Sequence, residues 1–511
     1  MKRTLLNLSI GIALLLLPGV TMAQRYLSEV FSSVTVTTNV QYGENISVFP
    51  PPTPTNIPLI MDVYEPAGDL VTERPLIIFM HTGSYLPRYI NGTPTGSRND
   101  SATVEICSRL ARRGYVVANM DYRLGWNPAG SNVDIRRGTL LNAVYRSIQD
   151  AKACVRYFRK DAATTDVFKI DTSKVILGGQ GTGGYIALNF ASLEDPAEIA
   201  LPKFISGTTD PTYGFVAGQP YVNQALLGDY DGYGGVPQLN NPNNSVGYAN
   251  NIHFVFNLGG ALGDSSWIEP GDAPTVAMHV IGDPFAPYSS GIVYVPGNPP
   301  QSVVDVIGSR NIIKLANQYG NNNCFINAGF NDVFTQAANV NNEGFDGLYG
   351  FATIPAVQAG PWDWYDSLTV VNGAAAVGQN GTTIYQNSLL TNPNMSKAKA
   401  IAYIDTVMGY LNPRIVYCLN LPTGISTIGD AAELITVTPN PVADVISIDL
   451  SAIKNELKSI SIYDVAGRKV LDLAVTEARK YDIDRGNLNA GSYVVRVQLE
   501  NGEANKKIIL R

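Results

Sequence analysis

Apolar runs of strand length and repeats of helical spacing alternate along most of the chain. "RPLIIFMHTG" is a continuous apolar run that ends in a turn. "SATVEICSRLARRG" then spaces its apolar residues at helical intervals and stops at Gly114. "YVVANMDYRLG" predicts the next strand, "TLLNAVYRSIQDAKACVRYFRKDA" a long amphipathic helix, "KVILGG" a strand and "GYIALNFASL" a helix. Strands resume with "HFVFNLGGAL" and "APTVAMHVIGD", and "SKAKAIAYIDTVMGYL" is a final helix before "NPRIVYCLNLP". Such alternation, from Leu59 to about Asn420, predicts an α/β fold with a doubly wound, mostly parallel sheet and helices on both faces. Residues 24 to about 60 read as an extended, Pro-rich entry ("VFPPPTPTNIP"). Between about Pro202 and Ile252 the periodicity dissolves into Gly, Asn, Tyr and Pro, which suits either a surface excursion or a lid or binding loop.

After about Asp430 the texture changes. "ITVTPNPVADVISIDL", "LKSISIYDVAGRKVLDL" and the segment from Ala478 to Arg511 are short alternating runs broken by Gly, Asn and Pro, the pattern of a small all-β sandwich. At the other end, Lys2 and Arg3 precede an apolar run from Leu5 to Val20 and small residues at Thr21 and Ala23. That is the layout of a secretory signal peptide, 1–23, and the run is short for a membrane span. The expected division is therefore 1–23 leader, 24–425 α/β domain, 426–433 linker and 434–511 β-sandwich.

Composition narrows the chemistry. The chain of 511 residues is 45% hydrophobic and 15% charged, with a net charge of −7. Losing Lys2 and Arg3 with the leader makes it more acidic, which argues against nucleic acid as a partner. Cys107, Cys154, Cys324 and Cys418 allow two disulfides in an exported chain, with the pairing open. With no CxxC pair and only three histidines, no metal site is expected, and nothing calls for a cofactor.

"VILGGQGTGGYIAL" concentrates the candidate chemistry. Gly179, Gly181 and Gly184 satisfy GxGxxG, but the turn comes after several strands, and no acidic residue closes a strand about 20 residues on, so a dinucleotide site is disfavoured. The pentad Gly179-Gln180-Gly181-Thr182-Gly183 also has the spacing of a nucleophile elbow, G-x-S-x-G, with glycine at the apex. Around it, "FMHTGSYLP" looks like a His-Gly-Gly oxyanion loop with Thr82 in place of one glycine. "MDYRLG" and "DAPTVAMHVIGDPFAPY" complete the set. Together these markers resemble the α/β-hydrolase family, in its secreted carboxylesterase-like branch, over residues 55 to 420.

The resemblance implies an acid at Asp283 and an oxyanion or pocket region built from His81, Thr82, Gly83, Ser84, Gln180 and Thr182. It also exposes departures. The nucleophile position is Gly181, and the triad histidine should follow Asp283, yet the histidines are His81, His253 and His279. His253 and His279 sit in strand-like runs and read as core residues, and His81 as a residue that orders its loop. Cys107 and Cys154 fall in helices at positions that read as buried. The expectation is a catalytically degenerate carboxylesterase homologue that binds an ester, glycan or peptide ligand. The alternatives are an ester hydrolase using Thr182 or Ser84 as nucleophile, and a structural or adhesive surface component.

In the β-sandwich, "TPNPVADVISI", "ISIYDVAGRKV", "LNAGSYVVRV" and "NKKIILR" resemble the type IX secretion sorting domain over 434–511. That resemblance implies recognition by the type IX translocon of Bacteroidota-type bacteria, passage through the periplasm and release outside the cell or attachment to its outer surface.

Overall fold

The computed structural model describes residues 24–49, 54–233, 244–422, 435–453, 457–464, 467–475, 479–499 and 502–511. The expected leader and linker lie outside the described residues. The main sheet has eight strands: β1 (Val34–Ser47), β2 (Thr55–Pro66), β3 (Arg74–Met80), β4 (Val116–Met120), β5 (Ile170–Gln180), β6 (Phe254–Leu258), β7 (Thr275–Val280) and β8 (Leu348–Phe351). Their order is β1-β2-β4-β3-β5-β6-β7-β8. Strands β3 to β8 run parallel, while β1 pairs antiparallel with β2 and β2 with β4. The entry segment thus supplies two strands that the sequence reading took for extended chain. The outer half of β1 carries exposed polar residues on an edge and lacks the apolar continuity of a central strand.

β3, "RPLIIFM", is buried throughout, and its side chains part to opposite faces. Leu76, Ile78 and Met80 join a core with Cys154, Phe158 and Ile186 from helices α2 (Val133–Ala163) and α3 (Thr182–Ser192). Ile77 and Phe79 face α1 (Ser101–Arg112) and the long helix Lys397–Cys418, through Ile106, Leu110, Tyr410 and Leu411. Truncating any of these fully buried side chains to Ala would cost about 2–5 kcal/mol. Sheet and helices form the mixed α/β architecture of the α/β-hydrolase fold.

Cys324 and Cys418 form a disulfide that ties helix Asn323–Ala328 to the end of the long helix, while Cys107 and Cys154 are free and buried. Of the two disulfides that the cysteine count allowed, one is present among the described residues. The irregular segment after Pro202 packs on α2. Phe215 and Tyr221 close over Gly138, and Lys152 lies 3.8 Å from the centre of the Tyr230 ring. Tyr145 donates to the Gly228 carbonyl at 3.0 Å.

The C-terminal strands form two sheets. One joins Thr436–Thr438, Val445–Asp449 and Lys480–Asp484; the other joins Lys469–Leu473, Leu457–Asp464, Gly491–Leu499 and Gly502–Leu510. Ile446, Ile460, Val495 and Ile508 fill the core between them, as the alternating pattern requires.

Candidate functional site

The turn from β5 into α3 keeps elbow geometry without an elbow nucleophile. Gly181 has φ +52° and ψ −118°, a conformation that costs a side-chain-bearing residue about 1–3 kcal/mol. Its N–H donates to the Leu258 carbonyl at 2.8 Å, and its carbonyl accepts from the Tyr185 N–H at 3.1 Å. The flanking glycines are demanded by close approach: a Cβ on Gly183 would lie 2.0 Å from the Met80 carbonyl oxygen, and one on Gly179 2.4 Å from the Gly183 backbone.

At the apex the space for a side chain is already filled. A Cβ on Gly181 would meet Thr82 Oγ1 at 2.2 Å and Thr82 Cβ at 3.0 Å. Thr82 belongs to the loop that follows β3, where the family pattern has glycine. The two departures noted in the sequence therefore face each other, Thr82 filling the space that a side chain at Gly181 would need.

The "DYR" segment after β4 organises this corner. Tyr122 donates from its hydroxyl to the His81 carbonyl (2.9 Å) and to Thr182 Oγ1 (3.2 Å). Thr182 Oγ1 also accepts the Ser84 N–H at 3.2 Å, so one of the amides expected to form the oxyanion pocket is already engaged. Asp121 Oδ1 lies 3.3 Å from His81 Nε2, and its other oxygen takes Arg98. Arg123 is buried on Asp150, with Nε 2.7 Å from Oδ1 and its N–H 2.8 Å from Oδ2, which pins the segment to α2.

His81 departs from the expected pocket. Its ring stacks on Tyr122 at 4.7 Å, bonds the Thr82 carbonyl through Nδ1 and turns toward Asp121, so it orders the loop from behind and does not line the cavity. Burial opposes charge on this ring. The Asp121 hydrogen bond and charge outweigh it, with help from the Thr82 carbonyl, and the pKa is raised above 6.5. Burial likewise opposes charge on Asp121, but His81 and Arg98 hold its carboxyl below the ordinary value.

A cavity of about 1010 Å³ opens over the apex. Thr82, Gly83, Ser84, Gln180, Gly181, Thr182 and Asp283 all line it, so every expected site residue except His81 is brought together. Its far walls come from the hairpin Ser290–Val295/Gln301–Gly308 and from residues 359–365 and 387–392. None of the described residues of the irregular segment after Pro202 lines the cavity.

Asp283 follows β7, as the resemblance implies. Its Oδ1 accepts the N–H groups of Phe285 (2.7 Å) and Ala286 (3.1 Å), and its Oδ2 lies 3.6 Å from His279 Nε2, too far for a hydrogen bond. His279 is fully buried on β7, and its Nδ1 pairs with Ser309 Oγ at 2.8 Å; Ser309 also accepts Asn257 Nδ2 at 2.9 Å. This serine–histidine–aspartate series was not visible in the sequence, because Ser309 lies on another element with no local motif. Ser309 is fully buried and away from the cavity, so its hydroxyl has no access to a substrate. His253 is half-buried before β6 and accepts the Val175 N–H through Nδ1, a structural bond.

Sequence reasoning also missed Asp363, on the loop after β8. It lines the cavity, and Gln180 faces its carboxyl. Burial, then the charge of Asp100, push its pKa up to about 8 against the lowering effect of Gln180.

The BD-FAE family matches residues 61–210, and the family described as secretion system C-terminal sorting domain matches 436–511. The first match covers the oxyanion loop and the elbow and ends before Asp283 and Asp363. No curated protein matches the chain. Among solved structures, the chain is similar to Thermogutta terrifontis esterase 2. The propionate-bound form is 17% identical, with 50% of this chain and 74% of that chain covered and a TM-score of 0.28. The apo form is 16% identical, with 50% and 75% covered and the same TM-score of 0.28. At these values the strand order carries the fold assignment, and the likeness adds nothing to it. The chain, of α/β-hydrolase fold, thus matches the esterase-like BD-FAE family over 61–210 and carries at 436–511 a C-terminal sorting domain, which indicates export through the type IX secretion machinery to the cell surface or the extracellular space.

Proposed function

We propose that this secreted α/β-hydrolase-fold protein is a catalytically degenerate carboxylesterase homologue whose elbow cavity binds a ligand without serine-hydrolase turnover. The contact between Gly181 and Thr82 carries this reading. The apex has no hydroxyl, and the site a Cβ would need is occupied by Thr82 Oγ1 at 2.2 Å. Loss of a triad serine or histidine costs about 10⁶ in kcat, because an unactivated hydroxyl or water is a poor nucleophile. No histidine lines the cavity beside the remaining hydroxyls among the described residues. Thr182 Oγ1 accepts two hydrogen bonds, and His81 is engaged with Asp121 and the Thr82 carbonyl.

On this reading the mature chain starts at residue 24, the leader takes it into the periplasm, and residues 434–511 are the address read by the translocon, with 426–433 as the linker. Bacteroidota-type bacteria are the expected source, and an ester, glycan or peptide is the expected ligand. Incubation with a fluorophosphonate followed by intact-mass measurement tests the reading. The expected mass is unchanged; a stoichiometric adduct on Ser84 or Thr182 would establish the rival reading, an ester hydrolase with an unconventional nucleophile.

A further inference from the structure

The cavity has an electrostatic character that its framework alone does not dictate. Among the described residues that line it there is no Lys, Arg or His, and its carboxyl groups are those of Asp283 and Asp363. Asp283 is held internally by two backbone amides on its Oδ1. Asp363 is not. Its side chain lines the cavity and is half-buried there, its Oδ1 is shut off from solvent with no hydrogen-bond partner among the described residues, and Gln180, the residue before the apex, faces the carboxyl.

The groups facing Asp363 offer it no countercharge. Asp100, at the start of α1, is another buried carboxyl: Oδ2 accepts the N–H groups of Gly96 (2.6 Å) and Ser97 (3.0 Å), while Oδ1 has no hydrogen-bond partner among the described residues. Arg88 lies 3.7 Å from Asp100 and serves that group. Lys399 is held by Asn392 Oδ1 at 2.8 Å, Gln358 Oε1 at 3.0 Å and the Pro393 carbonyl at 2.8 Å. Asn392 in turn donates to the main-chain carbonyl of Asp363, which fixes the loop without neutralising the carboxylate. Tyr365 is raised to about 12, mainly by burial, and stays neutral. With one oxygen shut off from solvent, beside a second acid and without a cation, a carboxyl keeps its proton more readily.

The walls are Tyr85, Trp126, Tyr185, Phe285, Trp362 and Tyr365, and the rim exposes Tyr294 (43%) and Leu390 (74%). Such a lining takes an apolar molecule and, lacking any basic group, rejects an anion.

We infer that the elbow cavity is a receptor for uncharged, apolar ligands carrying a carbonyl oxygen, and that Asp363, as the neutral acid, donates the hydrogen bond that holds this oxygen. The inference rests on the binding reading above and specifies its ligand class. It assigns Asp363 a role in selectivity: the acid welcomes an ester, ketone or amide and repels a carboxylate.

Three probes of matched shape test it on the mature full-length chain: methyl benzoate, benzoate and benzylammonium, followed by ligand-observed NMR at pH 6.5 and 9.5. The ester is expected to bind at pH 6.5 and to weaken at least about fivefold by pH 9.5, the worth of one lost hydrogen bond. Benzoate should not bind. Asp363→Asn keeps a donor and cannot ionise, so it should bind the ester with no pH dependence, while Asp363→Ala should lose about fivefold at pH 6.5. Benzoate or benzylammonium binding as tightly as the ester, no ester binding at pH 6.5, or a pH-independent wild type would each overturn the inference. A second readout does not need a ligand. With ¹³Cγ-labelled aspartate, the signal absent from Asp363→Asn should titrate near about 8, and a midpoint in the ordinary carboxylate range would overturn the role of Asp363. Conversion of methyl benzoate to benzoate with Asp363 still titrating high would refute the binding reading alone.

Discussion

Restoring the apex hydroxyl by Gly181→Ser should destabilise the protein, and Thr82→Gly should relieve part of the damage. Two costs act on the single variant. The first is backbone conformation: at φ +52° and ψ −118° a residue with a Cβ is strained by about 1–3 kcal/mol. The second is overlap, since the new Cβ would sit 2.2 Å from Thr82 Oγ1 and 3.0 Å from Thr82 Cβ. Thr82 cannot simply back away, because its carbonyl is bonded by His81 Nδ1 and lies within 3.4 Å of the Tyr122 hydroxyl. Relaxation must come from side-chain rotation or a loop shift, an overpacking cost of about 1–3 kcal/mol. Gly181→Ser alone is thus expected to lose about 2–6 kcal/mol. Thr82→Gly alone loses about 0.5–1 kcal/mol, chiefly chain entropy. The double variant removes the overlap but not the strain, giving a coupling of about 1–3 kcal/mol in its favour. Urea unfolding of the four proteins by tryptophan fluorescence measures this. The four tryptophans, Trp126, Trp267, Trp362 and Trp364, all lie before the sorting domain, so the signal reports the α/β portion. Strictly additive losses, or a single serine variant within about 0.5 kcal/mol of wild type, would refute the account of the apex.

Asp363→Asn should stabilise the protein in a pH-dependent way. The folded pKa of about 8 lies above the unfolded carboxylate value, so the unfolded chain binds fewer protons between about pH 4 and 8, and wild-type stability falls across that window. The variant should therefore match wild type near pH 4, gain on it up to about pH 8 and keep a constant advantage above; parallel profiles would contradict the shift. His81 adds a slope of the same sign: its raised pKa contributes stability in acid that is lost as pH rises through the folded value, so Asp121→Asn should erase that slope in denaturation midpoints. Thiol titration without reductant should find no reactive group in the native protein and two, Cys107 and Cys154, on unfolding. Replacing Cys324 and Cys418 by serine should cost about 2–5 kcal/mol, read as a lower Tm.

What the sequence made legible was local and repetitive. The buried run of β3 announces a central strand, and the crowded glycines around Gly181 announce an elbow, because each side chain they exclude would strike the turn itself or the neighbouring strand. The C-terminal alternation announces a sandwich for the same reason: Ile446, Ile448, Ile460 and Ile462 must face one way. What was not legible depends on elements distant in sequence. That Thr82 fills the space at Gly181 emerges only when the loop after β3 meets the β5–α3 turn. Asp363 belongs to no motif, and its chemistry arises because Gln180 and Asp100 are brought to it from β5 and the start of α1. The role of His81 likewise depended on Asp121 and Tyr122 arriving from the next strand. β1 was missed because edge strands need little apolar continuity.

The most direct measurement is steady-state hydrolysis of p-nitrophenyl acetate and butyrate by the mature protein at neutral pH. The account predicts a rate that does not rise above the buffer and inert-protein blanks in proportion to protein concentration. A rate that scales with protein concentration and disappears in Ser84→Ala or Thr182→Val would contradict it, because a working nucleophile would then exist beside an apex that has none.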